Sequence, residues 1–253
     1  MQVGEQELAL GVHAAVPTGV SVTVLGEFRV LDANAEVRVC AGSQRVLAFL
    51  ALRPTWVQRT LVAGTLWPDV SDARAHASLR SALSRMHAPV RDSIEVLPAQ
   101  LRIARGVSID LVRSRALALR LLAHACEPTE SDLSPEAIAA LSADLLPDWY
   151  EDWALLEVED WRQLRLHALE AVAAHLMVRA RYAEAVRAAI AAVKADPLRE
   201  SPHTTLIRVH LAEGNRSEAV REFALFKDLL ATELHIGPSA KLRELMHGVA
   251  AST

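Results

Sequence analysis

The residues with the most specific binding chemistry lie between Ser71 and His87. At about 100° per residue, a helix over this stretch has an apolar face and, opposite it, a stripe with arginines at both ends and small hydroxyl side chains between them. A slim helix edged with hydrogen-bond donors fits a groove about 12 Å wide and reaches both phosphates and base edges. The alternative is an ordinary solvated helix face. The stripe comprises Arg74, Ser78, Ser81 and Arg85, and the apolar face comprises Ala75, Leu79, Ala82, Leu83 and Met86.

Charge is distributed unevenly along the chain. Residues 44–120 contain twelve arginines, no lysine and five acidic residues, whereas residues 121–253 contain thirteen basic and twenty-one acidic residues. The planar fork of arginine pairs with phosphate and with guanine. The basic stretch therefore predicts a polyanionic partner, with a solvated arginine-rich surface as the alternative.

Length and cysteine usage limit the class of protein. A chain of 253 residues is long enough for two domains, each with its own core. Two cysteines, Cys40 and Cys126, imply no disulfide framework and fit a reducing compartment. The first basic residue is Arg29, and no apolar run approaches the length of about 18 residues that a membrane span needs. We expect a soluble cytoplasmic protein with no membrane partner.

The elements that must position the arginine stripe can be read from the pattern around it. Residues 21–32 predict two strands joined at Gly26, residues 37–40 predict a third, and three helices follow, the last being the basic one. Two further strands then form a hairpin that brings Arg102 and Arg105 close to a DNA backbone. Three helices and a hairpin after a small sheet are typical of a winged helix-turn-helix of the response-regulator type. The predicted helices cover 44–53, 60–67 and 72–87, and the hairpin strands cover 94–97 and 101–103.

The second half predicts an all-helical, tetratricopeptide-like domain. Glu184-Ala185-Val186 recurs as Glu218-Ala219-Val220, an offset of 34 residues, which is the period of a tetratricopeptide helix pair. Ala180 and Gly214 share that offset and predict close approach of two helices. Residues 127–160 contain eleven acidic and no basic residues, which indicates a solubilising surface or a segment that repels DNA.

These observations predict a mainly α protein with four segments. We expect a flexible tail at residues 1–20, a winged-helix domain at 21–123, a linker or loop at 124–134 and the tetratricopeptide-like domain at 135–253.

The chain resembles the Streptomyces antibiotic regulatory proteins, transcriptional activators built from a winged helix and a bacterial transcriptional activation domain. The resemblance extends from about Val22 to Leu245, and its most specific parts are the LWPD and DPLRE elements. The chain is similar to a small, stand-alone member without the ATPase and sensor domains of larger ones. The matching segments are VLGEFRV (24–30), QRVLAFLALRP (44–54), TLVAGTLWPD (60–69), ARAHASLRSALSRM (73–86), SIDL (108–111), LLPDWYEDWALLEVEDW (145–161), ARYAEAVRAAIAAVKADPLRES (180–201), EGNRSEAVREF (213–223) and LLATELHIGPSAKLREL (229–245).

The resemblance implies a function and a set of contacts. Members of the family bind promoter direct repeats, usually as dimers, and recruit RNA polymerase holoenzyme through its sigma factor and other subunits, often for antibiotic biosynthesis. By position, the helix over 72–87 becomes the recognition helix. A cytoplasmic, nucleoid-associated location follows. The implied DNA contacts are Arg74, Ser78, Arg80, Ser81 and Arg85 on that helix, Arg45 and Thr60 near the starts of the first two helices, and Arg102 and Arg105 on the wing.

Motifs for enzymatic chemistry are missing from the sequence. It contains no GxxxxGK[ST], GxGxxG, GxSxG or HExxH. His124 and Cys126 are the only close His/Cys pairing, and no second pair completes four zinc ligands. We therefore expect no cofactor, no metal and no enzymatic activity. The remaining alternatives are a tetratricopeptide-type protein-interaction module and a repressor that uses the same DNA site.

Overall fold

The structure is a computed structural model that describes residues 19–123 and 127–251. Its described part divides into two compact units. The N-terminal unit contains residues 19–22 and 29–108, and the helical unit contains residues 23–28 and 109–251. This division starts the helical unit earlier than the boundary predicted at 124–134. Most of the predicted tail at 1–20 lies outside the described residues, as do residues 124–126 of the predicted linker.

The N-terminal unit combines small sheets with short helices, and the predicted mainly α fold class with a small N-terminal sheet is confirmed. The elements are β1 Val20–Thr23, β2 Arg29–Asp32, β3 Ala35–Glu36, α1 Ala41–Ala51, β4 Val57–Gln58, α2 Arg59–Leu66, α3 Asp72–Ser84, α4 Ala88–Asp92, β5 Ile94–Val96, β6 Gln100–Ile103 and β7 Ser108–Ile109. The sheets have the strand orders β3-β2-β1-β7 and β4-β6-β5.

Three predicted elements of this unit were wrong in position. The first helix covers Ala41–Ala51 instead of 44–53. The third strand lies at 35–36 instead of 37–40, because Ala33 and Asn34 have φ values of 49° and 68° and form a two-residue turn directly after β2. The third helix ends at Ser84 instead of His87. His87 is the N-cap of the short helix α4. Pro89 lies in the first turn of this helix, where a missing backbone N–H costs no hydrogen bond.

The helical unit contains two helix pairs at the predicted 34-residue offset. The first pair is α7 (Asp152–Val178) with α8 (Tyr182–Ala195), and the second is α9 (Glu200–Glu213) with α10 (Arg216–Glu233). No helix within residues 19–123 and 127–251 is long and apolar enough to cross a membrane. The elements are α5 Asp110–Leu122, α6 Pro135–Ser142, α7 Asp152–Val178, α8 Tyr182–Ala195, α9 Glu200–Glu213, α10 Arg216–Glu233 and α11 Ala240–Ala251.

The core of the helical unit explains why these amphipathic segments are helical. Trp161 on α7 is the largest fully buried side chain, and its indole N–H donates to the carbonyl of Ala143 at 2.9 Å. A second cluster forms where α9, α10 and α11 meet, around Ile207, Phe226 and Leu242. Burial of these apolar side chains supplies most of the stabilisation that short helices lack in isolation.

The segment 23–28 is tied to the helical unit by backbone hydrogen bonds. The carboxylate of Asp110 accepts from the N–H groups of Val24 and Leu25, both at 3.0 Å, and from Leu111 at 2.8 Å. The N–H of Gly26, at φ 79°, donates to the carbonyl of Asp144 at 2.7 Å. Burial of the Asp110 carboxyl raises its pKa.

The acidic run at 127–160 is paired internally. Asp132, only 8% exposed, lies 2.7 Å from Arg120, and Glu157 lies 2.9 Å from Arg115. Arginines on α7 and in the loop after it pair with four more of these carboxylates. The run therefore joins elements of the helical unit, and each exposed pair contributes at most about 1 kcal/mol. Besides Asp132 and Glu157, the paired carboxylates are Glu127, Glu130, Asp144 and Glu159.

Ala180 and Gly214 occupy helix ends, so the predicted close approach of two helices was wrong. Both have left-handed φ values, 56° and 86°. The N–H groups that follow them, of Arg181 and Asn215, donate five residues back to the carbonyls of Leu176 and His210. A Cβ at Gly214 meets no atom within 4 Å. The repeat places both residues at equivalent helix ends, where Gly214 suits the left-handed backbone and Ala180 adopts it under strain.

Replacing Ala180 by glycine is expected to stabilise the helical unit by about 0.5–1 kcal/mol, because the left-handed conformation strains alanine more than glycine entropy costs. Urea unfolding of the full chain measures the change. The matched control is Ala174→Gly at an exposed site inside α7, where the same change is expected to destabilise by about 1 kcal/mol. If Ala180→Gly lowers the free energy of unfolding, the strained left-handed conformation assigned to Ala180 is contradicted.

Candidate nucleic-acid interface

Helix α3 buries one face and exposes the other. Ala75, Leu79, Ala82 and Met86 are buried, and Leu83 is half-buried. On the remaining surface Arg74, Arg80 and Arg85 are exposed, with Ser78 and Ser81 half-buried. Since apolar contacts fix the rotation of the helix, the structure places four of these sequence-predicted residues on α3 and the fifth, Arg85, at its C-cap.

The arginines of α3 are available for an external anion. None of Arg74, Arg80 and Arg85 forms an ion pair within the part of the chain that the structure describes. Asp72 is the one acidic residue of the helix. Arg74 and Arg85 are eleven residues apart, which is about 16 Å along a helix. The exposed edge therefore presents positive charge over about three turns with no internal neutralisation.

A buried serine fixes α3 against α1. Ser43 is fully buried, and its hydroxyl donates to the carbonyl of Ala82 at 2.7 Å. The Sγ of Cys40 lies 3.2 Å from the hydroxyl oxygen of Ser43. Ser43 was not among the residues predicted from the sequence, although its position one turn before Val46 and Leu47 places it on the buried face of α1.

Arg45 and Thr60 lie on the two preceding helices. Arg45 is half-buried on α1, and its guanidinium lies 5.9 Å from the ring of Trp67. Thr60 is the second residue of α2 and is exposed. The N-terminal N–H groups of a helix attract anions, so Thr60 has the environment expected of a phosphate contact. Both residues remain predicted contacts.

The two wing arginines have different surroundings. Arg102 lies opposite Glu95 in the β5–β6 hairpin, and its Nε donates to the carboxylate at 2.8 Å. Its guanidinium also lies 4.4 Å from the ring of Trp56, and its side chain is 17% exposed. Arg105, in the loop after β6, is exposed. A DNA contact through Arg102 therefore requires breaking an ion pair, whereas one through Arg105 does not.

The tip of the wing is apolar. Val96 and Leu97 are 55% and 45% exposed, and Pro98 and Ala99 complete the turn. Sequence reasoning treated this hairpin only as a carrier of arginines. Ile94, Leu101 and Ile103 are the buried residues of its alternating strands. The turn between these strands contains no charged residue, and this was visible in the sequence.

Among residues 19–123 and 127–251, no group of three or more His, Cys, Asp or Glu side chains is arranged to hold a metal ion. The His124–Cys126 pairing lies outside the described residues.

Comparisons with known proteins match both units, and a family of transcriptional activators matches the helical unit. The sequence profile of the bacterial transcriptional activator domain matches residues 109–250. The regulatory protein AfsR of Streptomyces coelicolor is 28% identical over 226 residues, 83% of this chain. The match spans 22% of AfsR, so the chain covers about a fifth of that relative.

A solved structure shares the fold. EmbR of Mycobacterium tuberculosis, determined in complex with a low affinity phosphopeptide, has a TM-score of 0.67 and 22% sequence identity to this chain. The similarity covers 93% of this chain and 66% of EmbR. Because the activator domain profile matches more than half of the sequence, the chain belongs to the bacterial transcriptional activator domain family, and its resemblance to the Streptomyces antibiotic regulatory proteins is confirmed.

Proposed function

We propose that this protein is a sequence-specific DNA-binding transcriptional activator that reads promoter DNA with α3. The observation that supports this most is the exposed arginine edge of α3 above a buried apolar face. A helix of this kind enters the major groove, where arginine can bind guanine through two hydrogen bonds. The arginine excess of residues 44–120 supports a polyanionic partner as well.

In this proposal some arginines contact phosphates and others contact bases. Neutralisation of phosphates provides most of the sequence-independent affinity and makes it salt-dependent. Arg74 and Arg85 are the proposed base readers, with Ser78, Arg80 and Ser81 beside them. Arg45, Thr60 and Arg105 are proposed backbone contacts. No residue is assigned a catalytic role, since binding and assembly are sufficient for activation.

The helical unit is proposed to provide contacts to RNA polymerase holoenzyme, including its sigma factor. Its membership in the activator domain family supports that role. We further propose that the protein binds direct repeats as a homodimer, in the cytoplasm at the nucleoid, and that its targets belong to a secondary-metabolite gene cluster.

Selection of bound sequences from random duplexes tests DNA recognition, and transcription from a selected site with purified polymerase tests the direction of control. We expect an enriched repeated motif and increased transcript when the protein is added. Enrichment with decreased transcript identifies a repressor. Selection without enrichment contradicts the proposal and favours a protein-interaction module.

Wing variants provide a matched pair. Arg105→Ala is expected to lower the slope of log affinity against log salt by about one phosphate contact. Arg102→Ala is expected to leave that slope unchanged, because Glu95 already neutralises this arginine. Fluorescence anisotropy with a labelled duplex measures both slopes. Equal effects of the two variants would contradict the assigned difference.

A further inference from the structure

A cavity of about 400 Å³ in the helical unit is bounded by the end of α6 and by α7 and α8. Three of its lining residues are cationic, namely Arg165, Arg187 and Lys194. Asp144 is the one acidic residue of the lining. The remaining lining is Ser142, Ile190, Ala191 and Ala195. The cavity therefore has an excess of two positive charges next to a small apolar wall.

Arg165 is the buried member of this group. Its side chain is 4% exposed, and its guanidinium donates to the carbonyl of Ser142 at 2.6 Å and to the carboxylate of Asp144. Its Nε has no hydrogen-bond partner within the described part of the chain. Burial lowers the pKa of this guanidinium. A buried cation is costly unless it is fully paired, and its one carboxylate partner here is 63% exposed.

Arg187 and Lys194 extend the positive charge along α8. They are seven residues apart, so they lie on one face of the helix about 10 Å from each other. Both are exposed, and neither forms an ion pair among residues 19–123 and 127–251. Ile190 and Ala191 lie between them on that face. Such unpaired cations lining a concave site increase the local concentration of anions.

We infer that this cavity binds a small organic anion, a phosphate monoester or a carboxylate with an apolar group. The anionic end would be held by Arg165, Arg187 and Lys194, and the apolar group would lie on Ile190 and Ala191. Asp144 repels the ligand and also holds Arg165 in place. Removal of its charge is therefore expected to increase the affinity, whereas loss of a purely structural ion pair would decrease it.

Ligand-observed NMR with the full chain tests this site. The probes are phenyl phosphate and benzoate at constant ionic strength, with inorganic phosphate as competitor. We expect saturable binding of at least one probe, and the tighter one identifies the anionic group. Arg187→Gln with Lys194→Gln is expected to weaken it at least about tenfold, since two charge-assisted contacts are lost. Asp144→Asn is expected to tighten it about threefold, because one like charge is removed.

Two controls locate the binding. Lys227→Gln with Arg243→Gln removes the same formal charge from exposed sites outside the cavity, and Arg74→Ala with Arg85→Ala removes the arginines of α3. Both double variants are expected to keep the affinity within twofold. Unsaturable binding of both probes, or equal weakening by the α8 and control variants, shows general attraction of anions only and overturns the inference. An affinity unchanged or weakened by Asp144→Asn also overturns it.

Discussion

Replacing Arg74 and Arg85 together by alanine is expected to weaken binding of the selected duplex by at least about 2 kcal/mol, or about 30-fold, since each bidentate arginine contact supplies about 1–3 kcal/mol of discrimination. Both side chains are exposed, Arg74 on α3 and Arg85 at its C-cap, and the buried face of the helix does not include them. Fold stability is therefore expected to stay within about 0.5 kcal/mol of the native value. Titration of a labelled duplex at fixed salt measures the affinity.

Arg38→Ala is the control for this effect. Arg38 is an exposed arginine of the N-terminal unit that lies between β3 and α1 and is not among the proposed contacts. Its replacement removes one positive charge without touching α3, and a change of less than about threefold is expected. If the double variant binds as tightly as Arg38→Ala, α3 does not bind DNA through these arginines.

The second large effect concerns the apolar face of α3. Leu79→Ala is expected to destabilise the N-terminal unit by about 3 kcal/mol or more, because truncation of a buried leucine loses its transfer free energy and leaves a cavity. Leu79 is fully buried between α3 and its neighbours. Hydrogen exchange of amides in α3, measured by mass spectrometry on the full chain, reports the free energy of opening for this unit separately from the helical unit.

Leu61→Ala is the matched control for Leu79→Ala. Leu61 lies on α2 and is 53% exposed, so the same truncation there is expected to cost less than about 1 kcal/mol. Equal costs for the two variants would show that the burial of Leu79 does not anchor α3. Addition of the selected duplex should recover part of the lost protection, because a ligand that binds only the folded form stabilises it.

Sequence periodicity was sufficient to predict the two faces of α3. The helix has thirteen residues, and its apolar positions recur at helical spacing, so a single rotation buries Ala75, Leu79 and Ala82 together. The helix pairs of the second half were predictable for the same reason. The position of Ala180 at a helix end was not predictable, because a left-handed φ at alanine leaves no pattern in side-chain polarity.

Contacts between distant residues account for most of what the sequence did not reveal. The hairpin register pairs Arg102 with Glu95, which the strand pattern could have suggested, but Trp56 reaches Arg102 from another element. The acidic run illustrates the same limit. The sequence shows how many acidic residues the run contains. Which of them pair with Arg115 and Arg120 depends on how α5 packs within the helical unit.

The salt dependence of binding to a random-sequence duplex tests the central claim most directly. For the native protein, the logarithm of affinity is predicted to fall linearly with the logarithm of salt concentration. On a random-sequence duplex Arg74 and Arg85 have no fixed guanine to read and pair with phosphates instead, so for Arg74→Ala with Arg85→Ala the slope is predicted to be shallower by about two phosphate equivalents. A native affinity that does not change with salt, or a slope that is identical in the double variant, would contradict the claim that the arginine edge of α3 meets duplex DNA.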